Sequence, residues 1–133
     1  MDGEALVARA AETRERAYAP YSHYPVGAAV LTEDGSVFTG CNVENASYGL
    51  TVCAERVAVF SAVAAGHTRI TAVAILTPSR GAPCGACRQV LLEFGGAELE
   101  VLLADPEGGR RERTLADLLP EAFGPEDLRA ADA

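Results

Sequence analysis

The chain has 133 residues, 49% of them hydrophobic and 23% charged, enough for one domain with its own core and too few for two. Its 19 acidic against 11 basic residues leave a net charge of −8, which argues against nucleic acid and other polyanions as partners and favours a small molecule. No stretch approaches the roughly 20 apolar residues of a membrane span and no basic start precedes an apolar run, so no membrane partner and a cytoplasmic setting are expected, with cysteines reduced rather than bridged.

From Glu4 to about Ala19 the apolar residues Leu6, Val7, Ala10, Ala11, Ala17 and Tyr18 recur at helical spacing, which predicts an amphipathic helix ended by Pro20. Tyr21 to Pro25 reads as a short linker. Val26 to Leu31, the turn Glu33-Asp34-Gly35, and Ser36 to Val43 form a predicted hairpin. Gly27 in its first strand allows close approach of a ligand or backbone, or marks a plain bulge. Cys53 to about Ala65 is a second helix, apolar enough to be expected buried on most sides, and closed by Gly66. Arg69 to Leu76 reads as a central strand covered on both faces. The loop Pro78 to Pro83 leads into a third helix, Cys84 to about Phe94. Leu99 to Ala104 and Arg110 to Leu115 make a second hairpin, with Arg110, Arg111 and Arg113 on an exposed strand face. The tail, with Leu118-Leu119-Pro120 and Phe123-Gly124-Pro125, is expected to cover the core or a neighbouring subunit. Residues 129–133 read as a frayed end of a single domain spanning 1–133.

Chemistry concentrates in Cys53-Ala54-Glu55-Arg56 and Pro83-Cys84-Gly85-Ala86-Cys87. A catalytic zinc site has three protein ligands and an open fourth position, and thiolate is a favoured ligand. Cys53, Cys84 and Cys87 fit that count, and two of them open predicted helices, where unpaired N–H groups favour thiolate. Water on such a metal ionises near neutral pH, and Glu55 is the carboxylate placed to move its proton. Residues two apart on a regular helix point about 200° away from each other. Cys53 and Glu55 can therefore share a site only if the segment straddles the helix start. Arg56 could offset the charge of three thiolates, or be an ordinary solvated arginine. Asn42 and Glu44, two apart at a strand end, could hold two sugar hydroxyls or simply build a turn. His23 and His67 stand at no ligand spacing.

Two other readings use the same cysteines. A structural zinc module with Cys41 as fourth ligand needs two tight pairs, whereas Cys41 and Cys53 are twelve apart. A thiol oxidoreductase accounts for the C-x-x-C but leaves Cys53 and Glu55 without a role. Cys-Ala-Glu followed by Pro-Cys-x-x-Cys matches instead the signature of zinc-dependent nucleobase deaminases, in its all-cysteine form.

The resemblance extends beyond that signature. Ser22 to Ala29, Gly40 to Tyr48, Cys53 to Arg56, Pro83 to Gln89, Leu118-Leu119-Pro120 and Phe123-Gly124-Pro125 together resemble the small homotetrameric cytidine deaminases, in order and with similar gaps, over most of Tyr18 to Leu128. The resemblance implies an α/β fold, a three-layer α/β/α sandwich around a five-stranded mixed sheet, and one Zn2+ per subunit on Cys53, Cys84 and Cys87. It implies that Asn42 and Glu44 bind the ribose, that Ala54 and Glu55 read the pyrimidine, and that Arg56 hydrogen-bonds the thiolates. Ala46, Tyr48 and Phe123 would reach the site of an adjacent subunit, making a homotetramer with shared active sites. The implied activity is deamination of cytidine and 2′-deoxycytidine in pyrimidine salvage, with Glu55 carrying protons. The related blasticidin-S deaminases share the zinc segments, but Asn42 to Tyr48 resembles the ribose-binding strand end of the nucleoside enzymes. Tyr24 departs from the family, which usually has phenylalanine against the pyrimidine; its hydroxyl needs a partner.

Overall fold

The computed structural model describes residues 1–130. Helix α1 spans Gly3–Arg14, β1 Gly27–Thr32, β2 Val37–Cys41, α2 Ala54–Ala64, β3 Ile70–Leu76, α3 Gly85–Gly95, β4 Glu100–Ala104, β5 Arg110–Thr114, α4 Leu115–Leu118 and α5 Pro125–Ala130, with a single 3-10 turn at Tyr48–Leu50. The five strands form one sheet in the order β2-β1-β3-β4-β5. β3 and β4 are parallel and all other neighbours antiparallel. A parallel pair requires a crossover, and α3 supplies it.

Side chains alternate across the sheet and define two cores. Ala28, Val30, Val73, Ile75, Val101 and Leu103 face α2, α3 and Leu115. Ala29, Ala72, Ala74, Leu102 and Ala104 face Leu6, Val7 and Ala10 of α1. The result is the three-layer α/β/α sandwich, and the small residues on the α1 face let that helix lie close. A Cβ at Gly27 would stand 2.0 Å from the Ala10 carbonyl oxygen and 2.8 Å from the Arg14 Cβ. Of the two uses open to Gly27, close approach of backbone is the one the fold makes. Among the described residues, no helix is long and apolar enough to cross a membrane.

Several boundaries differ from the sequence expectation, each for a tertiary reason. Helix α1 ends at Arg14 rather than near Ala19, closing with 3-10-type bonds from Arg16 N to Thr13 O and Ala17 N to Arg14 O. Tyr18 must be extended, because its N–H donates to the Asn42 carbonyl and its own carbonyl accepts from Glu44 N, both at 2.9 Å. This bridge brings residues 21–24 beside the end of β2. Helix α2 is not buried on most sides: Ala54, Glu55, Ala58, Val59 and Ala62 face the sheet while Phe60 is 49% exposed. An apolar residue on the far side of a single helix layer has nothing in its own chain to cover it. Strand β5 is exposed at every position, as an edge strand with no helix over it, not on one face alone. In the tail, Leu115 is buried and Leu118 packs on the core, whereas Phe123 and Leu128 are exposed. Arg129 and Ala130 belong to α5 rather than to a frayed end. Its start is tied by the Asp127 carboxylate, which accepts from Gly124 N at 2.8 Å. The remainder of the expected frayed end, residues 131–133, lies outside the described residues.

Candidate active site

Helices α2 and α3 pack side by side on one face of the sheet, and each begins with a cysteine. Cys53 is the N-cap of α2, at φ −72° and ψ 154°, and Cys84 is the N-cap of α3, at φ −68° and ψ 170°. Both are extended, so neither follows the helical rotation of the residues after it. This is how Cys53 and Glu55, in the first turn of α2, come to line the same cavity.

The Cys53 and Cys84 sulfurs are 3.9 Å apart and those of Cys84 and Cys87 3.5 Å. All three lie within 4.8 Å of one another. Zn–S bonds of about 2.3 Å in a tetrahedron put sulfurs about 3.8 Å apart, so the three thiols fit one zinc ion with a vertex left open. Cys41 is not in this set; its Sγ donates to the Arg16 carbonyl at 3.5 Å. A closed four-cysteine shell is therefore not what the fold builds. No disulfide forms among the described residues.

The electrostatics favour thiolate at Cys53. The Cys53 thiol is pushed down to about 5, first by the hydrogen bond from Cys87 and then, against the opposing effect of burial, by Arg56. Cys87 is pushed up because it holds the proton that it donates to Cys53, and because it is buried. Arg56 Nη2 donates to Cys53 Sγ at 3.6 Å, while its Nε is buried with no hydrogen-bond partner. The Glu55 carboxyl is 6% exposed and is raised to about 7, first by burial and further by the neighbouring Cys53. Such a group can both take and return a proton near neutral pH.

Cys53, Ala54, Glu55 and Cys84 line one side of a cavity of about 360 Å³, with Cys87 buried behind them. Asn42 and Glu44 stand on its other side, close to Ser22 and Tyr24. Asn42 is buried; its Oδ1 accepts from Val26 N and its Nδ2 donates to the Tyr24 carbonyl, both at 2.9 Å. The Glu44 carboxylate accepts from Tyr21 N at 2.9 Å, Ser22 N at 3.1 Å and the Ser22 hydroxyl. The Ser22 hydroxyl foremost holds Glu44 below the ordinary carboxylate range, so it stays an acceptor. The Tyr24 hydroxyl finds its partner in Ser79, at 2.7 Å.

Ala46, Tyr48 and Phe123 are not brought to this cavity. All three are exposed, Tyr48 to 75% and Phe123 to 60%, and none lines this cavity, although Tyr48 lines an adjoining hollow that shares Ser22, Glu44 and Thr51 with it. Tyr48 meets Tyr21 edge to face at 6.0 Å. Conversely, the cavity includes Ser22, Thr51, Thr77, Gly81 and Ala82, which the motifs did not single out as site residues. The Thr77-Pro78-Ser79 cluster ahead of Cys84 signals a loop in the sequence, but only the fold turns it toward Tyr24.

Residues 1–103 match a family model described as the cytidine and deoxycytidylate deaminase zinc-binding region. A cytidine deaminase of Sporosarcina psychrophila is 49% identical over 133 residues, covering 98% of each chain. A cytidine deaminase of Mycobacterium tuberculosis is 49% identical over 130 residues, covering 96% of this chain and 94% of that one. The crystal structure of cytidine deaminase from Burkholderia pseudomallei superposes with a TM-score of 0.89 at 54% identity, covering 92% of this chain and all of that one.

Proposed function

Since the chain belongs to the cytidine deaminase family, zinc-binding enzymes that act as hydrolases, we propose that it converts cytidine and 2′-deoxycytidine to uridine and 2′-deoxyuridine with release of ammonia. The observation that carries this reading is a cluster of three thiols, two of which line one cavity of nucleoside size together with a buried carboxyl, from helix starts 31 residues apart. The role is pyrimidine salvage in the cytoplasm, where thiols stay reduced, and the unit is a single zinc-binding domain spanning 1–133.

Cys53, Cys84 and Cys87 hold the zinc ion in this reading, and Arg56 stabilises the thiolate charge from beside Cys53. Bound there, zinc supplies the Lewis acidity that makes water a nucleophile near neutral pH. Glu55 takes the proton that the attacking water gives up and passes one to N3 of the pyrimidine. It then takes the remaining proton of the oxygen added at C4 and delivers it to the amino group; the C4–N bond breaks, the C4 carbonyl forms and ammonia leaves, so that one water is consumed for each amine released. Burial suits Glu55 to both directions of transfer, because it raises the carboxyl toward the working pH. Asn42 and Glu44 take the ribose hydroxyls, with Glu44 fixed as an acceptor by Ser22. Ala54 and Tyr24 border the base. Ala46, Tyr48 and Phe123, exposed on their own chain, complete the site of an adjacent subunit in a homotetramer.

The direct test is ammonia release from cytidine by purified protein, before and after treatment with a zinc chelator. Prompt release that the chelator abolishes and added zinc restores is the expected result. Folded, zinc-replete protein that releases no ammonia from either nucleoside would overturn the assignment.

A further inference from the structure

Two loops bound the mouth of the cavity, and each is braced independently. Residues 22–25 form one rim: Tyr24 N donates to Ser22 Oγ at 3.0 Å, and the Tyr24 carbonyl accepts from Asn42 Nδ2. Residues 77–83 form the other and run directly into Cys84. There Gly81 N and Ser79 N donate to Thr77 Oγ1 at 2.8 and 3.3 Å, and Arg80, at φ 57°, pairs with Asp105 at 3.0 Å. The Arg80 carbonyl also accepts from Arg111 at 2.7 Å, which ties this loop to β5.

One side-chain contact joins the two rims. The Tyr24 hydroxyl and Ser79 Oγ are 2.7 Å apart, across 55 residues of chain. The space beside this pair is closed: a Cβ at Gly81 would stand 3.0 Å from the Tyr24 hydroxyl oxygen and 3.5 Å from Ser79 Oγ. The tyrosine ring, 36% exposed and lining the cavity, is thus held at its backbone and at its far end.

We propose that the Tyr24–Ser79 hydroxyl pair is a clasp that fixes the aromatic wall of the base pocket before substrate arrives, making Ser79 a positioning residue for the pyrimidine. The inference rests on the nucleoside reading of the cavity. A hydroxyl pair at a solvent-facing rim adds little to folding stability, since water can replace either partner. Its effect falls on binding. A ring already held in place does not have to be ordered when the base docks, and ordering one free side chain costs an amount comparable to a several-fold change in affinity. The hydroxyl of Tyr24 is what makes the clasp possible; phenylalanine at this position could not form it.

The test is a double-mutant cycle on zinc-replete protein with Tyr24→Phe, Ser79→Ala and the two combined, read as KM and kcat for cytidine and Kd for uridine. Each single change is expected to raise KM and Kd about three- to tenfold, the equivalent of one hydrogen bond, with kcat within about twofold. Zinc content and thermal midpoint stay at wild-type values. The combined variant is no weaker than the weaker single, because the bond can be lost only once. Multiplying losses, or Ser79→Ala with wild-type KM and Kd, would overturn the clasp while leaving the deaminase assignment intact. Wild-type protein inert toward cytidine would instead overturn the assignment, and the clasp with it.

Discussion

Glu55 is a carboxyl group with almost no water around it and a thiolate-forming cysteine two residues away, and both conditions disfavour its charge. A fold carries such a group at a cost, and proton transfer is the use proposed for it. General acid–base groups contribute about 10²- to 10⁴-fold, so Glu55→Ala should lower kcat by at least that order. Because its carboxylate is not one of the three clustered thiols, the variant should keep one zinc per chain by elemental analysis. Removing a buried ionisable group should not lower the thermal midpoint. Near-normal turnover, or loss of zinc, would sink the assignment. Arg56 acts in the opposite sense, favouring thiolate at Cys53. Without the guanidinium, protons compete better with zinc for sulfur, so Arg56→Ala should release zinc at a higher pH than wild type as solutions are acidified. A zinc-dye titration against pH reads this, and an unmoved curve would reject the charge-compensating role. At this scale the sequence was informative wherever residues adjacent in the chain share the chemistry, as in Cys-Ala-Glu-Arg and Cys-x-x-Cys. Tyr24 stood out within the Ser22 to Ala29 segment, but Ser79 was not legible, because it lies 55 residues away and belongs to none of the motifs.

The elements that carry these residues are positioned by close backbone contact. Helix α2 lies directly on β2: a Cβ at Gly40 would meet Ala58 N at 2.5 Å, Ala54 O at 2.6 Å and the Val57 Cβ at 2.8 Å. Those are atoms of the turns that follow Cys53 and include Glu55. Gly40→Ala should therefore cost about 1–3 kcal/mol of unfolding free energy in urea, and should also weaken zinc retention, because the helix start is displaced. A variant as stable as wild type with full zinc would mean that the contact can relax. The β1–β2 turn provides a pH prediction. Asp34 is lowered from 3.8 to about 2, first by the Thr32 hydroxyl and then by Ser36. A folded-state pKa below the unfolded one stabilises fully above the unfolded value, and the benefit disappears as pH falls through the folded value. Wild type should accordingly lose more stability between about pH 4 and pH 2 than Asp34→Asn, compared by urea midpoints, and parallel curves would contradict it. The existence and order of the elements were readable from periodicity and turn residues. Their ends were less so: the helical pattern continues through Ala17 and Tyr18, yet the bridge of Tyr18 to Val43 takes that segment away from α1. Nothing local in the sequence announces a long-range bridge.

On the scale of the whole molecule, the apolar pattern of β3 identifies a strand covered on both faces, and the two cores confirm that placement. The same pattern in α2 misleads, because a single chain covers only one face of that helix and leaves Phe60 on the other 49% exposed. Tyr48, Leu50, Phe60, Phe123 and Leu128 are all at least 49% exposed. If these surfaces join subunits and Phe123 completes a neighbour's site, the protein should sediment well above its 13.9 kDa chain mass. The sharper consequence concerns mixtures. Glu55→Ala subunits lack the proton carrier but supply an intact Phe123, while Phe123→Ala subunits lack the ring but keep Glu55. In an assembly formed at random from equal amounts of both, about a quarter of the sites pair an intact Glu55 with a neighbour's intact Phe123. Co-refolded or co-expressed mixtures should therefore approach about a quarter of wild-type turnover per site, above the average of the two parent variants, provided Phe123→Ala alone is strongly impaired. Activity equal to that average would show that each subunit completes its own site, and would remove Phe123 from the shared active site.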